Sequence, residues 1–224
     1  EVLPLYNNQI FQDFLKSGEC FDFTTMWCND NHGMVRNIPN EEERVREGGN
    51  ALYYHLSYWA PKDQSYMWMS SMPLSVMGEE LNKCWEAGVQ KAWIVNVGDI
   101  KPAEGELDYF MRCGWDVDYT TNSIDFSTEW MLRNFGDQMS VETADEVADI
   151  LNTFYHHSNV RKIEQMRLGV FDQMNFNEWD KRMATSQDLY ERVAAVAESL
   201  TTDVAKDSFY ELVQSKINWT YYTN

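Results

Sequence analysis

Three short apolar runs mark the first half of the chain, and each ends in a burst of polar residues. Residues 23–28 run into Asn29-Asp30-Asn31-His32-Gly33. Residues 51–58 follow Gly48-Gly49-Asn50 and run into Trp59-Ala60-Pro61, and residues 92–97 end in Gly98-Asp99-Ile100-Lys101-Pro102. The third run holds consecutive non-polar residues and two β-branched ones, so alternation between core and solvent is excluded. It reads as a strand buried on both faces, as in parallel sheets covered by helices. Between the second and third runs, Leu74, Met77, Leu81, Trp85 and Val89 recur at helical spacing, with Pro73 at the start and Gly88 near the end. A strand, a helix and a strand joined in this way form a βαβ unit, the element of parallel sheets. The polar residues then emerge together at the carboxyl ends of the strands, where α/β folds bind ligands and carry out chemistry.

After residue 120 the periodicity is helical throughout. Val141, Ala144, Val147, Leu151 and Phe154 share one face behind the capping candidate Ser140. Leu189, Val193, Val196 and Leu200 share another behind Ser186. Adjacent His156 and His157 point about 100° apart on a helix, so they read as a surface pair and not a metal site. Trp219, Tyr221 and Tyr222 read as packing surface or as a sugar platform.

The three polar-ended blocks in their order resemble glycoside hydrolase family 115, the xylan α-1,2-glucuronidases. The residues that carry the resemblance are Trp27-Cys28-Asn29-Asp30-Asn31-His32-Gly33, Tyr53-Tyr54-His55-Leu56-Ser57-Tyr58, and Trp93 through Pro102. Pro39-Asn40-Glu41-Glu42-Glu43-Arg44, Gly48-Gly49 and Tyr66-Met67-Trp68 keep the same register. The likeness covers roughly residues 20–116. Asn29 stands where an acid is usual, Ala60 where Gly is common and Met34 where an aromatic is common, whereas Asp30 is retained. The resemblance implies an α/β fold: the C-terminal part of a (β/α)8 TIM-like barrel over residues 1–120, followed by an α-helical region over 121–224. A complete barrel takes about 250 residues. With Glu1 in place of Met, and an apparent helix at Ile10, Phe11, Phe14 and Leu15, the chain reads as a segment of a longer protein.

Glycoside hydrolysis uses one carboxylic acid and one carboxylate. Asp30, at a strand end with polar neighbours, is the candidate catalytic group, against the alternative of a turn-capping Asp. Asn31, Tyr54, His55, Asn96, Asp99 and Lys101 are the candidate substrate-binding residues. Tyr58, Trp59 and Trp68 are candidates for stacking on sugar rings. For His55 the competing reading is a satisfied core histidine, and for Asn96 a bond to neighbouring backbone. The resemblance implies an inverting mechanism, with no metal and no organic cofactor. The implied substrate is glucuronoxylan or a xylo-oligosaccharide bearing glucuronic or 4-O-methylglucuronic acid. Other partners are the missing domains of the same protein or a second copy of the chain, and the compartment is secreted or periplasmic. The alternatives are a catalytically silent carbohydrate-binding or scaffold protein of the same fold, and an inactive structural fragment.

Charge and cysteines narrow this picture. The 18 Lys and Arg against 36 Asp and Glu give a net charge of −18, which argues against nucleic acid, since phosphate binding requires basic residues. No run approaches the roughly 20 apolar residues needed to span a bilayer. An anionic uronic acid needs a locally basic pocket in so acidic a chain, and Arg36, Lys62 and Lys101 lie nearest the motif edges. Cys20, Cys28, Cys84 and Cys113 are too dispersed for paired zinc knuckles, and Cys28 and Cys84, on expected buried faces, read as free core thiols.

Overall fold

The structure is a computed structural model and describes residues 2–4, 13, 22–58, 62–63 and 66–224. The helix expected around Ile10 to Leu15, along with Cys20, Trp59 and Ala60, falls outside the described residues apart from Asp13. Strands β1 (Val2–Pro4), β2 (Thr25–Asn31), β3 (Met34–Arg36), β4 (Asn50–His55) and β5 (Ala92–Asn96) form one sheet. Its order is β1-β2-β4-β5 with every neighbour parallel, and β3 folds back antiparallel on β2. Helix α1 (Glu41–Arg44) links β3 to β4, and α2 (Leu74–Glu86) makes the crossover from β4 to β5. Among the described residues this sheet is open.

Register explains which side chains face the core. Cys28 pairs with Leu52, and Leu52 with Trp93, so these three share a face with Tyr54 and Val95, two residues further on. Helix α2 covers that face with Met77, Leu81 and Cys84. The opposite face carries Tyr53, His55 and Ile94. The expectation that the third run is buried on both sides is therefore corrected: Trp93 and Val95 pack on the core, whereas Ile94 is 50% exposed. β5 ends the strand order, and the described helices cover one face of it. A run without alternation is here a run with one covered side.

Six helices follow: α3 (Glu104–Trp115), α4 (Ser123–Phe135), α5 (Val141–Val160), α6 (Glu178–Ser199), α7 (Asp203–Phe209) and α8 (Ser215–Thr223), with a π-helical turn at Tyr210–Gln214 joining the last two. One apolar cluster runs without a break from Cys28 in the sheet to Ile217 in α8. The Ser140 cap forms as expected, its Oγ accepting from the Thr143 amide at 3.2 Å. Ser186 is not a cap. Helix α6 starts eight residues earlier, after Asn177 in a left-handed conformation, and Ser186 is buried in its middle, 3.1 Å from His157 Nε2. His157 accordingly turns inward while His156 stays exposed, which corrects the surface-pair reading. Cys28, Cys84 and Cys113 are buried free thiols, and burial pushes Cys28 up to about 12. No helix among the described residues is long and apolar enough to cross a membrane.

Candidate functional site

The carboxyl ends of β2, β4 and β5 lie side by side, so Asp30, His55 and Asn96 share one rim of the sheet. Just after Asp30 the chain reverses through His32 and Gly33 into β3, and Gly33 holds φ +84°. A Cβ at this glycine would sit 2.4 Å from the Met72 side chain, so the turn requires Gly both for its backbone and for its space. Helix α2 braces the hairpin from beneath: the buried Glu80 accepts from the Val35 amide at 2.7 Å.

This turn aims donors at Asp30. Its Oδ1 lies 2.7 Å from His55 Nδ1, and its Oδ2 accepts from the Gly33 amide at 2.9 Å and from the Tyr58 hydroxyl. The Gly33 amide is shared with Tyr58 Oη, also at 2.9 Å, and Tyr58 Oη sits 3.1 Å from the His55 carbonyl. An ionised carboxylate only accepts, so Nδ1 of His55 carries the proton and Nε2 is left as the basic nitrogen. Burial, and then the charge of Asp30, hold the Tyr58 phenol well above its usual range, which keeps it a neutral donor. Rings gather around the pair: His32 stands 4.8 Å and His55 5.3 Å from Tyr58, and Tyr53 stands 4.4 Å from His55. Asn96 Nδ2 donates to Tyr53 Oη at 3.0 Å.

The structure thus joins Asp30 and His55 directly and brings Asn96 in through Tyr53. His55 is satisfied through Nδ1 by Asp30, as the competing reading of a core histidine expects, yet its side chain remains 15% exposed. The side chain of Asp30 is fully enclosed, and both of its oxygens are occupied by His55, Gly33 and Tyr58. The expectation for Tyr54 is corrected. It is 0% exposed, packs on Phe110 and donates to the Gly33 carbonyl at 3.2 Å. Strand alternation sends it to the covered face and puts Tyr53 at the rim instead.

Asn31 and Asp99 are exposed and stand outside this hydrogen-bonded cluster. Lys101 pairs with Glu211 at 2.8 Å, beside a surface hollow lined also by Glu104 and Asp137, a setting unsuited to an anion. Arg36 and Lys62 are exposed as well. Trp68 stands edge-on to Trp219 at 6.3 Å. Among the described residues, no group of three His, Cys, Asp or Glu is placed to hold a metal ion.

Below the rim, His55 and Tyr58 open onto a narrow cleft walled by Met67, Met69 and Met72. Ser70, Ser71 and Lys162 also line it, and Lys162 comes from the turn after α5. Sequence reasoning missed Tyr53 and Lys162. Alternation from His55 identifies Tyr53. Nothing local signals Lys162, which tertiary packing delivers from the helical half.

A parallel sheet with an imidazole, a phenol and a carboxylate knotted at its carboxyl rim is the construction of an α/β enzyme. The sequence pattern of glycosyl hydrolase family 115 matches residues 2–165, and the chain belongs to that family. Eleven chains of solved structures match it. One is described as a family GH115 4-O-methyl-α-glucuronidase, BtGH115A, with specificity for decorated arabinogalactans. It is 26% identical, with a TM-score of 0.83 over 99% of this chain and 30% of its own. This chain therefore spans less than a third of that protein. No curated protein matches.

Proposed function

We propose that this chain is part of the catalytic domain of an α-glucuronidase that releases glucuronic or 4-O-methylglucuronic acid side chains from xylan. Residues 1–120 would supply the C-terminal strands of a TIM-like barrel, and residues 121–224 the helical region behind them. The observation that carries the reading is the Asp30–His55–Tyr58 network at the strand ends, in a chain of this family. Asp30 fixes the tautomer and orientation of His55 and receives the Tyr58 proton donor. His55 Nε2, Asn96 and Tyr53 then face the side from which a sugar approaches. An inverting mechanism needs two carboxyl groups about 6.5–9.5 Å apart with a water between them. With Asp30 enclosed, those groups would come from strands beyond the described ones. A polysaccharide substrate places the enzyme outside the cytoplasm, in a secreted or periplasmic setting.

Uronic acid release by the full-length protein tests this, measured on glucuronoxylan and on glucuronyl-decorated arabinogalactan in parallel. Faster release from glucuronoxylan is the expected result. Asp30→Asn and His55→Ala should each lower turnover by about 10²–10⁴-fold, the scale of positioned proton transfer. Wild-type turnover in both variants would sink the role of the network. A second reading, a silent carbohydrate-binding protein, is favoured by Asn29 where an acid is usual and by the enclosure of Asp30. Tight glucuronoxylan binding with no product would establish it.

A further inference from the structure

We propose that Lys162 is the specificity-determining cation of this site, receiving the carboxylate of a uronic acid substituent. The inference rests on the glycosidase reading above and adds to it the group that recognises the acid.

Lys162 reaches the cleft from the turn that precedes a short 3-10 segment, Ile163–Gln165. Its Nζ donates to Ser71 Oγ at 2.8 Å, which uses one of three donor positions. Among the described residues it forms no ion pair. Glu164, whose charge acts on Lys162, accepts from the Met69 amide at 2.8 Å. Ser70 Oγ, on the same cleft wall, is buried without a hydrogen-bond partner among the described residues. A partly desolvated ammonium with spare donors beside an unpartnered hydroxyl forms an incomplete site for an anion.

Position links this cation to the network. His55 and Tyr58 line the same cleft, and the charge of Lys162 contributes, after burial, to holding the His32 imidazole below its usual range. Burial brings Lys162 itself down to about 8, so it is still largely protonated at neutral pH. The enclosed throat holds about 10 Å³, roughly the room of one water. A sugar ring does not fit there, so what reaches Nζ is a carboxylate oxygen or a water bridging to it. In a chain of net charge −18, one sequestered cation at the rim resolves how an anionic sugar is accepted. Lys101 is already paired with Glu211, and Arg36 and Lys62 are exposed to solvent.

The test compares charged and neutral forms of one sugar in the full-length protein. Lys162→Met and Lys162→Arg would be assayed on a glucuronosyl oligosaccharide and on its methyl ester. Lys162→Met should raise KM for the free acid about 10- to 100-fold, the scale of a hydrogen bond to a charged group. KM for the ester should change by less than about twofold, and Lys162→Arg should recover most of the binding. Equal losses on acid and ester, or an unchanged KM for the acid, would overturn the assignment. Calorimetry with D-glucuronate and D-glucose provides a readout independent of turnover. The wild type should prefer glucuronate, and Lys162→Met should lose that preference. An inactive wild type that keeps the preference would refute the hydrolase reading alone, and a wild type without the preference would refute the role of Lys162.

Discussion

Two buried polar networks occupy the two halves of this molecule, and they are built alike. At the strand ends, Asp30 collects His55, Gly33 and Tyr58. In the helical half, Glu106 of α3 accepts from Tyr155 of α5 at 2.9 Å and from Lys216 of α8 at 3.0 Å. The carboxylates are equally hidden, Asp30 at 3% and Glu106 at 0% exposure. In both, burial and the neighbouring acid push the tyrosine up, Tyr58 in one and Tyr155 in the other. Neither burial nor a perturbed pKa separates a site from a strut here. What differs is the outer layer. Lys216, the charged partner of Glu106, is itself enclosed at 2%, whereas His55, the partner of Asp30, keeps 15% of its side chain exposed and opens onto a cleft. A network becomes available for chemistry when its second member reaches a surface.

The largest effect expected from this contrast is on stability in the helical half. Lys216→Ala removes the ion-pair partner of Glu106 in a core where, among the described residues, its Oε2 already lacks a hydrogen-bond partner. Breaking a buried pair in this way costs about 3–5 kcal/mol, to be read from urea denaturation of the full-length protein. Glu106→Gln in the Lys216→Ala background should return part of that loss. A cost below about 1 kcal/mol would show that water reaches Glu106, and the distinction between the closed and the open network would fail.

The next effect depends on pH. Burial, followed by the charge of Arg182, brings His157 down from 6.5 to about 4, so the folded state holds it neutral. Between about pH 6.5 and 4 the unfolded chain binds a proton that the folded chain refuses. Stability therefore rises with pH across that window and is lost as pH falls toward 4. The displacement is worth roughly 3 kcal/mol. Thermal melts from pH 4 to 7 should show this slope, and His157→Gln should flatten it. An unchanged slope in the variant would mean that other groups carry the acid sensitivity of the helical half.

The same contrast separates what the sequence revealed from what it hid. The three strands, the α2 crossover and the Ser140 cap were legible because alternation, helical spacing and capping are local properties. Asp30, His55 and Asn96 at one rim followed from strand direction alone. The Ser186 cap and the doubly buried third strand misled for one reason, since each depends on what packs against the segment. His157 and Ser186 find each other across two helices, and Ile94 is exposed on the sheet face opposite to the one the described helices cover. Lys162 illustrates the limit of local signals: its part in the cleft comes entirely from the way the turn after α5 folds back onto residues 67–71.

The smallest stability effect should come from the network most tied to function. Tyr58→Phe removes one hydroxyl, yet Asp30 Oδ2 keeps the Gly33 amide and Oδ1 keeps His55. Neither carboxylate oxygen is left empty, so the loss should be on the scale of one hydrogen bond, about 1 kcal/mol. The Gly33 amide also keeps a partner in Asp30, so the turn has no reason to open. Activity should respond more strongly. Without the phenol, Asp30 and the imidazole it orients lose the lateral contact that fixes them, and turnover on glucuronoxylan should fall by about tenfold or more, with the folded fraction unchanged. The ratio of the two effects is the informative quantity. In the Glu106 network the same kind of change, Tyr155→Phe, should cost stability and leave turnover as it was. Matching losses in the two variants, in either measurement, would mean that the rim network is another strut.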